Sequence, residues 1–229
     1  MTSIALYGII KVIIGILICF LRREREKLKE IYDKIQDINI ILKRSFIDLG
    51  KPLAYQEVVE KSAKVLDSSL FIIDTKRNCL GYGFTDSDSS YQDDINLQNF
   101  FIYQKISKDI SSQLLNHYEM SASLPMAQSI LKPVKEISNK FPNKFLTFLP
   151  IEGNHLRLGT LFLLTDSPLE EEKRILVDFL STFIGNQMSY IMLAELEGQR
   201  RNETFVSLVQ SLSRSELEAF KSIIEKIDR

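Results

Sequence analysis

The chain has 229 residues, 45% of them hydrophobic, with 29 Lys and Arg against 30 Asp and Glu. That length buries one good core with helical extensions to spare, and the balanced charge excludes a global field drawing the protein to nucleic acid or an anionic surface. The two cysteines, Cys19 and Cys79, lack the paired spacing of a disulfide scaffold or zinc knuckle and fit a reducing compartment.

From Ser3 to Leu21 the run SIALYGIIKVIIGILICFL is almost wholly apolar. As a helix it measures about 28 Å, enough to span a bilayer. Ile4, Ile9, Ile13, Leu17 and Leu21 are its anchor residues, and Lys11 is the one charge inside it. Arg22, Arg23 and Arg25 follow directly, and the positive-inside rule makes them a cytoplasmic flank. The expectation is a single-pass membrane anchor over 1–22 with the bulk of the chain cytoplasmic; a buried or interfacial helix is the alternative.

Over 23–50, Leu28, Ile31, Ile35, Ile38, Leu42 and Leu49 recur at spacings of three and four, interrupted by Ser45, with Glu and Lys on the other faces. This amphipathic, coiled-coil-like helix either packs on the domain that follows or continues as a parallel dimer seam, so a homodimer is the expected assembly.

The body of the domain is placed at 51–197. Val58, Val59, Ala63, Val65 and Leu66 have helical spacing, SSLFIID and CLGYGF read as a strand hairpin, and Thr85 to Asp94 is an acidic loop. Asp86, Asp88 and Ser90 suggest calcium, but Tyr91 and Leu97 stand where a calcium loop needs glycine and glutamate. The stretch Asn99 to Ile106 is the most aromatic of the chain. Phe100, Phe101, Ile102, Lys105 and Ile106, with Pro150, are the candidate lining of an effector pocket; the plain reading is ordinary packing. A weak helix around Ile110 to Leu115 and an irregular, proline-punctuated segment follow. KFLTFLPIEGNHLRLGTLFLL reads as two strands about a Glu152-Gly153-Asn154 turn, the central hairpin of an antiparallel sheet. Ser167-Pro168-Leu169-Glu170 signals the start of a long helix reaching Leu196, and Ser213 to Glu216 forms a second capping box within a helical linker over 198–229.

Catalytic chemistry has no support in these residues. His117 and His155 lie in no metal-pair or nucleophile–base spacing, and Gly81 and Gly83 sit in a strand rather than in a phosphate loop. No catalytic residue, metal site or cofactor is expected.

The order of helices and hairpins is that of a GAF domain. GKPLAYQEVVEKSAKVLDSSLFII from Gly50, LGYGF from Leu80, LTFLPIEGNHLRLGTLFLL from Leu146 and SLSRSELEAFKSIIEKID from Ser211 resemble the CodY family of nutrient-sensing transcriptional regulators. The resemblance implies an α+β fold, a GAF-like antiparallel sheet flanked by helices, here with an N-terminal transmembrane helix and a long C-terminal helical extension. It implies a non-catalytic sensor that takes up a small-molecule effector, a branched-chain amino acid or another metabolite, with a GTP response and a winged helix that reads DNA. The family grips the amino-acid carboxylate with an arginine shortly after the LGY strand, whereas this chain has no arginine between Arg77 and Arg157, leaving Lys105 or Lys108 as a point charge. The sequence stops inside the first helix of the winged helix, so no nucleic acid is expected as a partner of this chain alone. The alternative reading is a truncated or degenerate CodY-type repressor answering to branched-chain amino acids or GTP.

Overall fold

The computed structural model describes residues 2–46, 55–211 and 213–219; the side chains of 2–18, 44–46, 205, 208 and 209 lie outside the described set. Its centre is an antiparallel sheet of β1 (Ser69–Asp74), β2 (Cys79–Gly83), β3 (Ser121–Pro125), β4 (Phe145–Gly153) and β5 (Leu156–Thr165) in the order β2-β1-β5-β4-β3. Strand alternation divides the apolar side chains between two cores. Leu70, Ile72, Leu149, Ile151, Leu161 and Leu163 enter one, under α1 (Thr2–Phe46), α2 (Tyr55–Leu66) and α6 (Glu171–Ser211). Phe71, Ile73, Leu146, Phe148, Phe162 and Leu164 enter the other, under α3 (Ile95–Tyr103), α4 (Lys108–Leu115) and α5 (Lys135–Ser138). Because both faces are covered, the central strands read as unbroken apolar runs rather than as alternation.

Glycines set how closely the helices approach. At Gly81 and Gly83 an added Cβ would lie 2.8 Å from the Tyr55 carbonyl and 2.7 Å from Glu60 Cα, so the two glycines form the bed on which α2 lies. From the same helix, the Gln56 amide mimics a neighbouring strand along the open edge of β2. Its Nε2 donates to Tyr82 O at 2.8 Å and its Oε1 accepts from Tyr82 N at 3.1 Å, closing part of the open edge.

Several expected features need correction. Among the described residues no helix is long and apolar enough to cross a membrane, which overturns the single-pass placement and the localisation built on it. Where side chains of α1 are described, the helix leaves apolar character within three residues: Phe20 and Leu21 are exposed and Arg22, Arg23 and Arg25 stand exposed after them. Ile4, Ile9, Ile13 and Leu17 lie outside the described side chains. Of the connector stripe, Ile38 and Leu42 are fully buried in the core under α1, Ile31 and Ile35 pack against it, and Leu28 is exposed. Leu49 lies outside the described residues. α1 runs unbroken through 22–23, and α6 through 197–198.

The central hairpin turns one residue later than expected. Gly153 is the last residue of β4, and Asn154 and His155, at φ 51° and 60°, make the two-residue turn, both in the left-handed region that such a hairpin requires. α6 starts at Glu171, because the segment before it is engaged elsewhere: the Leu169 amide donates to Ser123 Oγ at 2.8 Å, and Thr165 Oγ1 donates to Ser167 O at 2.7 Å. At the other end, Ser213 N donates to Glu216 Oε2 at 2.8 Å, the capping box expected there, and helix follows over 214–219.

Candidate functional site

The aromatic stretch divides as a helix must. α3 begins at Asp94, whose carboxylate accepts from the amides of Asn96 and Leu97 at 3.0 and 3.1 Å and pairs with Lys140. The hydrogen bond from Lys140, then those helix-end amides, hold its pKa below the ordinary carboxylate value. With the helix so placed, Phe100 and Phe101 turn inward, 5% and 4% exposed, while Ile102 faces solvent at 58%. Ile106 returns to the core and Lys105 stays exposed. Pro150 is half-buried in β4 opposite Thr160, and its carbonyl accepts from Ser181 Oγ of α6 at 2.6 Å. The structure therefore brings Phe100, Phe101 and Ile106 into one cluster and leaves Ile102 and Lys105 outside it.

Around these three lies a continuous aromatic surface. Phe101 stacks on Tyr82 at 4.6 Å and meets Phe71 at 5.4 Å, Phe71 stacks on Phe162 at 4.6 Å, and Phe162 contacts Phe148 at 6.1 Å. The His117 ring closes the row, perpendicular to Phe148 at 5.3 Å. Burial raises the Tyr82 phenol pKa, with Cys79 and Glu60 adding to the shift. The Cys79 thiol beside it is pushed up to about 12, chiefly by burial.

The cover of this surface is the segment 106–117, whose Ile110 and Leu114 pack into the cluster. Two arginines grip it from opposite ends, each on main-chain carbonyls. Arg77, at φ 73° in the β1–β2 turn, donates from Nη1 to Ile106 O at 3.3 Å. Arg157 on β5 donates from Nη1 to His117 O at 2.8 Å, and from Nη2 to Leu114 O at 3.3 Å and Thr160 Oγ1 at 3.0 Å. These carbonyls end α4, where a cation is favoured by the helix dipole. Arg157 reaches this face through a bulge: Ile151 pairs with Gly159 but Glu152 pairs with Arg157, so Leu158 is the extra residue that turns Arg157 toward Thr160.

Neither arginine was a candidate on sequence grounds, although both bound the arginine-free stretch. The available signal was a lone guanidinium inside the apolar run LRLGTLFLL. Lys108, the other expected point charge, is exposed at the start of α4. A recess of about 530 Å³ lies apart from this surface, between α1 and α6 over Ile31 and Leu176. Its rim mixes both signs and is bridged by Lys27–Glu172 at 3.2 Å, which leaves it without a preferred ligand charge.

The acidic loop is anchored by charge. Asp88, 5% exposed, accepts from Ser69 Oγ at 2.6 Å and pairs with Lys144 at 3.0 Å, and Lys144 also reaches Asp166 at 2.8 Å.

Residues 30–211 match the family model described as the CodY GAF-like domain. The chain is 28% identical over 198 residues to the global transcriptional regulator CodY of Lysinibacillus sphaericus (strain C3-41), covering 86% of this chain and 74% of that protein. It is 26% identical over 198 residues to the global transcriptional regulator CodY of Anoxybacillus flavithermus (strain DSM 21510 / WK1), with the same coverage. Among solved structures, the cofactor-binding GAF domain of the nutrient sensor CodY from Clostridium difficile aligns at a TM-score of 0.46 and 22% identity, covering 68% of this chain and 96% of that one. The A. aeolicus nlh2 GAF domain in an inactive state aligns at 0.47 and 10%, covering 72% and 98%.

Proposed function

The chain belongs to the CodY family through its GAF-like domain, and from that premise we propose that it is a non-catalytic regulatory module answering to a small effector bound under α3 and α4. The observation that carries this reading is the aromatic surface of Phe71, Tyr82, Phe101, Phe148 and Phe162 beneath a segment held at each end by an arginine on main-chain carbonyls. Separating such a cover from the sheet costs the arginine hydrogen bonds and the burial of Ile106, Ile110 and Leu114, and the surface it uncovers suits an apolar ligand that restores that burial. The rings and the side chains of Ile110 and Leu114 fill the space beneath the cover, so uptake requires α4 to shift.

We take as the working unit the body at 51–197 together with the segments 23–50 and 198–229 that flank it. Its relatives' role in transcription supports a regulatory output, while the near-zero net charge supports a partner other than nucleic acid for this chain alone. Titration of the full chain with branched-chain amino acids, GTP and a metabolite set, followed by thermal unfolding, is expected to give one stabilising class and faster or slower amide exchange confined to 106–117. A duplex DNA control is expected to leave Tm unchanged. Stabilisation by none of the compounds would remove the sensor reading.

Assembly as a homodimer rests on apolar residues that α6 leaves exposed, namely Ile175, Tyr190, Leu193 and Leu196. Sedimentation equilibrium is expected to return twice the chain mass, and replacing Tyr190 and Leu193 together with glutamate to return the monomer. A monomeric wild-type chain at tens of micromolar would count against it.

A further inference from the structure

Burying a guanidinium is unfavourable unless each of its donors finds a partner and its charge finds an opposite. Arg157 meets neither condition among the described residues. Its Nε is buried with no hydrogen-bond partner, and its three hydrogen bonds go to two carbonyls and a hydroxyl rather than to a carboxylate. Burial lowers its pKa, and the nearby Glu152 offsets that only in part, without forming an ion pair among the described residues. The residue is held this way by the bulge at Leu158, so its orientation is built into the sheet rather than chosen by a loose side chain.

We propose that Arg157 is an anion-receiving residue: the Nε edge of its guanidinium, beside Thr160 at the end of the aromatic surface, takes the carboxylate or phosphate oxygens of a small ligand entering between α4 and β5. The proposal rests on the sensor reading above and names the chemistry of its ligand. Nε is the donor without a partner among the described residues, and Nη2, by exchanging its bond to Thr160 Oγ1 or Leu114 O for one to the ligand, completes the parallel pair of donors that matches a two-oxygen anion. Nη2 already touches Thr160 Oγ1 at 3.0 Å, so that hydroxyl is placed to donate to the same anion. The Nη1 bond to His117 O is independent of that edge, so α4 stays gripped at its last turn while the anion binds. Phe148, against His117, lies next to the apolar end of such a ligand.

The test uses the full chain and three probes at matched ionic strength: isobutyrate, inorganic phosphate and the neutral isobutyramide. Thermal unfolding is expected to show stabilisation by isobutyrate or by phosphate, whichever source of the anion fits, and none by isobutyramide. In Arg157→Lys, which keeps the charge and loses the paired donors, the stabilising concentration is expected to rise roughly tenfold or more. The nitrogen-15 spectrum of the wild-type chain provides a readout that needs no variant: a slowly exchanging arginine Nε–H is expected to move on titration with the effective anion. Equal stabilisation of wild type and Arg157→Lys, stabilisation by the amide as strong as by the acid, or no response to either anion would overturn the assignment. An effector that stabilises both proteins alike leaves the sensor reading standing while removing this one.

Discussion

Gly185→Ala is expected to destabilise the protein by about 3 kcal/mol, and Gly198→Ala, thirteen residues further along the same helix, to stabilise it by up to about 1 kcal/mol. Alanine is the better helix former at both positions, worth roughly 1 kcal/mol over glycine, so propensity alone predicts a gain twice. Packing reverses the sign at one of them. A Cβ on Gly185 would lie 1.9 Å from the Glu152 carbonyl oxygen, and one on Gly153 2.1 Å from Gly185 O, so helix and strand cross here backbone against backbone. Neither backbone can yield without moving α6 off β4 and straining the hydrogen bond from Ser181 Oγ to Pro150 O. At Gly198 nothing lies within 4 Å of the added atom. Urea unfolding of the two variants in parallel checks both signs. A Gly185→Ala protein as stable as wild type would mean that α6 does not press on β4 at this point.

Lys144→Met is expected to cost about 2–3 kcal/mol and to lower Tm by roughly 5–10 °C. The Lys144 side chain is 12% exposed, and its ammonium lies between Asp88, itself 7% exposed at its side chain, and the open Asp166. Removing it leaves the Asp88 carboxylate buried with the Ser69 hydroxyl but without a counter-charge, which is the costly half of breaking such a pair. Asp88→Asn in the same background is expected to recover most of the loss, since the lone charge is then gone, and the double-mutant cycle reads the coupling. The pH dependence follows from Lys144. Burial opposes its charge, yet its hydrogen bonds to Asp166 and Asp88 outweigh that and raise its pKa above the ordinary lysine value. A raised lysine pKa means a contribution fully present below the unfolded lysine value near 10.5 and lost as pH climbs through the folded one. The wild type should therefore lose more stability than Lys144→Met in strong alkali, and the gap between the two proteins should narrow there. A gap that stays constant above that pH would remove the ion pair from the account.

Much of the architecture was legible from residue order. The helix Tyr55 to Leu66, the hairpin of SSLFIID with CLGYGF, the strand pair of LTFLPIEG with LRLGTLFLLT and the capping box at Ser213 all follow from patterns within a dozen residues, where propensity and spacing act directly. β3 was not legible. SASLP is poor in strand formers, carries Ser123 at φ 58° and breaks register between Ser121 and Leu124, so its strand character comes from Thr147 Oγ1 and the edge of β4 rather than from itself. The early start assigned to α6 failed for a related reason: Ser167-Pro168 has the chemistry of a helix start, but Ser123, 46 residues away from Leu169, claims that amide first.

The candidate site divides along the same line. Phe100, Phe101 and Ile106 could be nominated because they sit together in the chain, and one helix turn decides that Phe101 goes in while Ile102 goes out. Arg157 could not, because alternation along β5 sends it away from Thr160 and one bulge residue brings it back. The sequence by itself determined the family, the antiparallel sheet flanked by helices and the aromatic character of the stretch from Asn99 to Ile106, since each rests on local pattern. Tertiary structure alone decided that Arg77 and Arg157 hold the two ends of the cover, that Lys144 meets Asp88, and that Gly185 meets Glu152. Such contacts join residues 29 to 56 positions apart, where the register of strands and the crossing of a helix set the distance and no spacing in the chain encodes it.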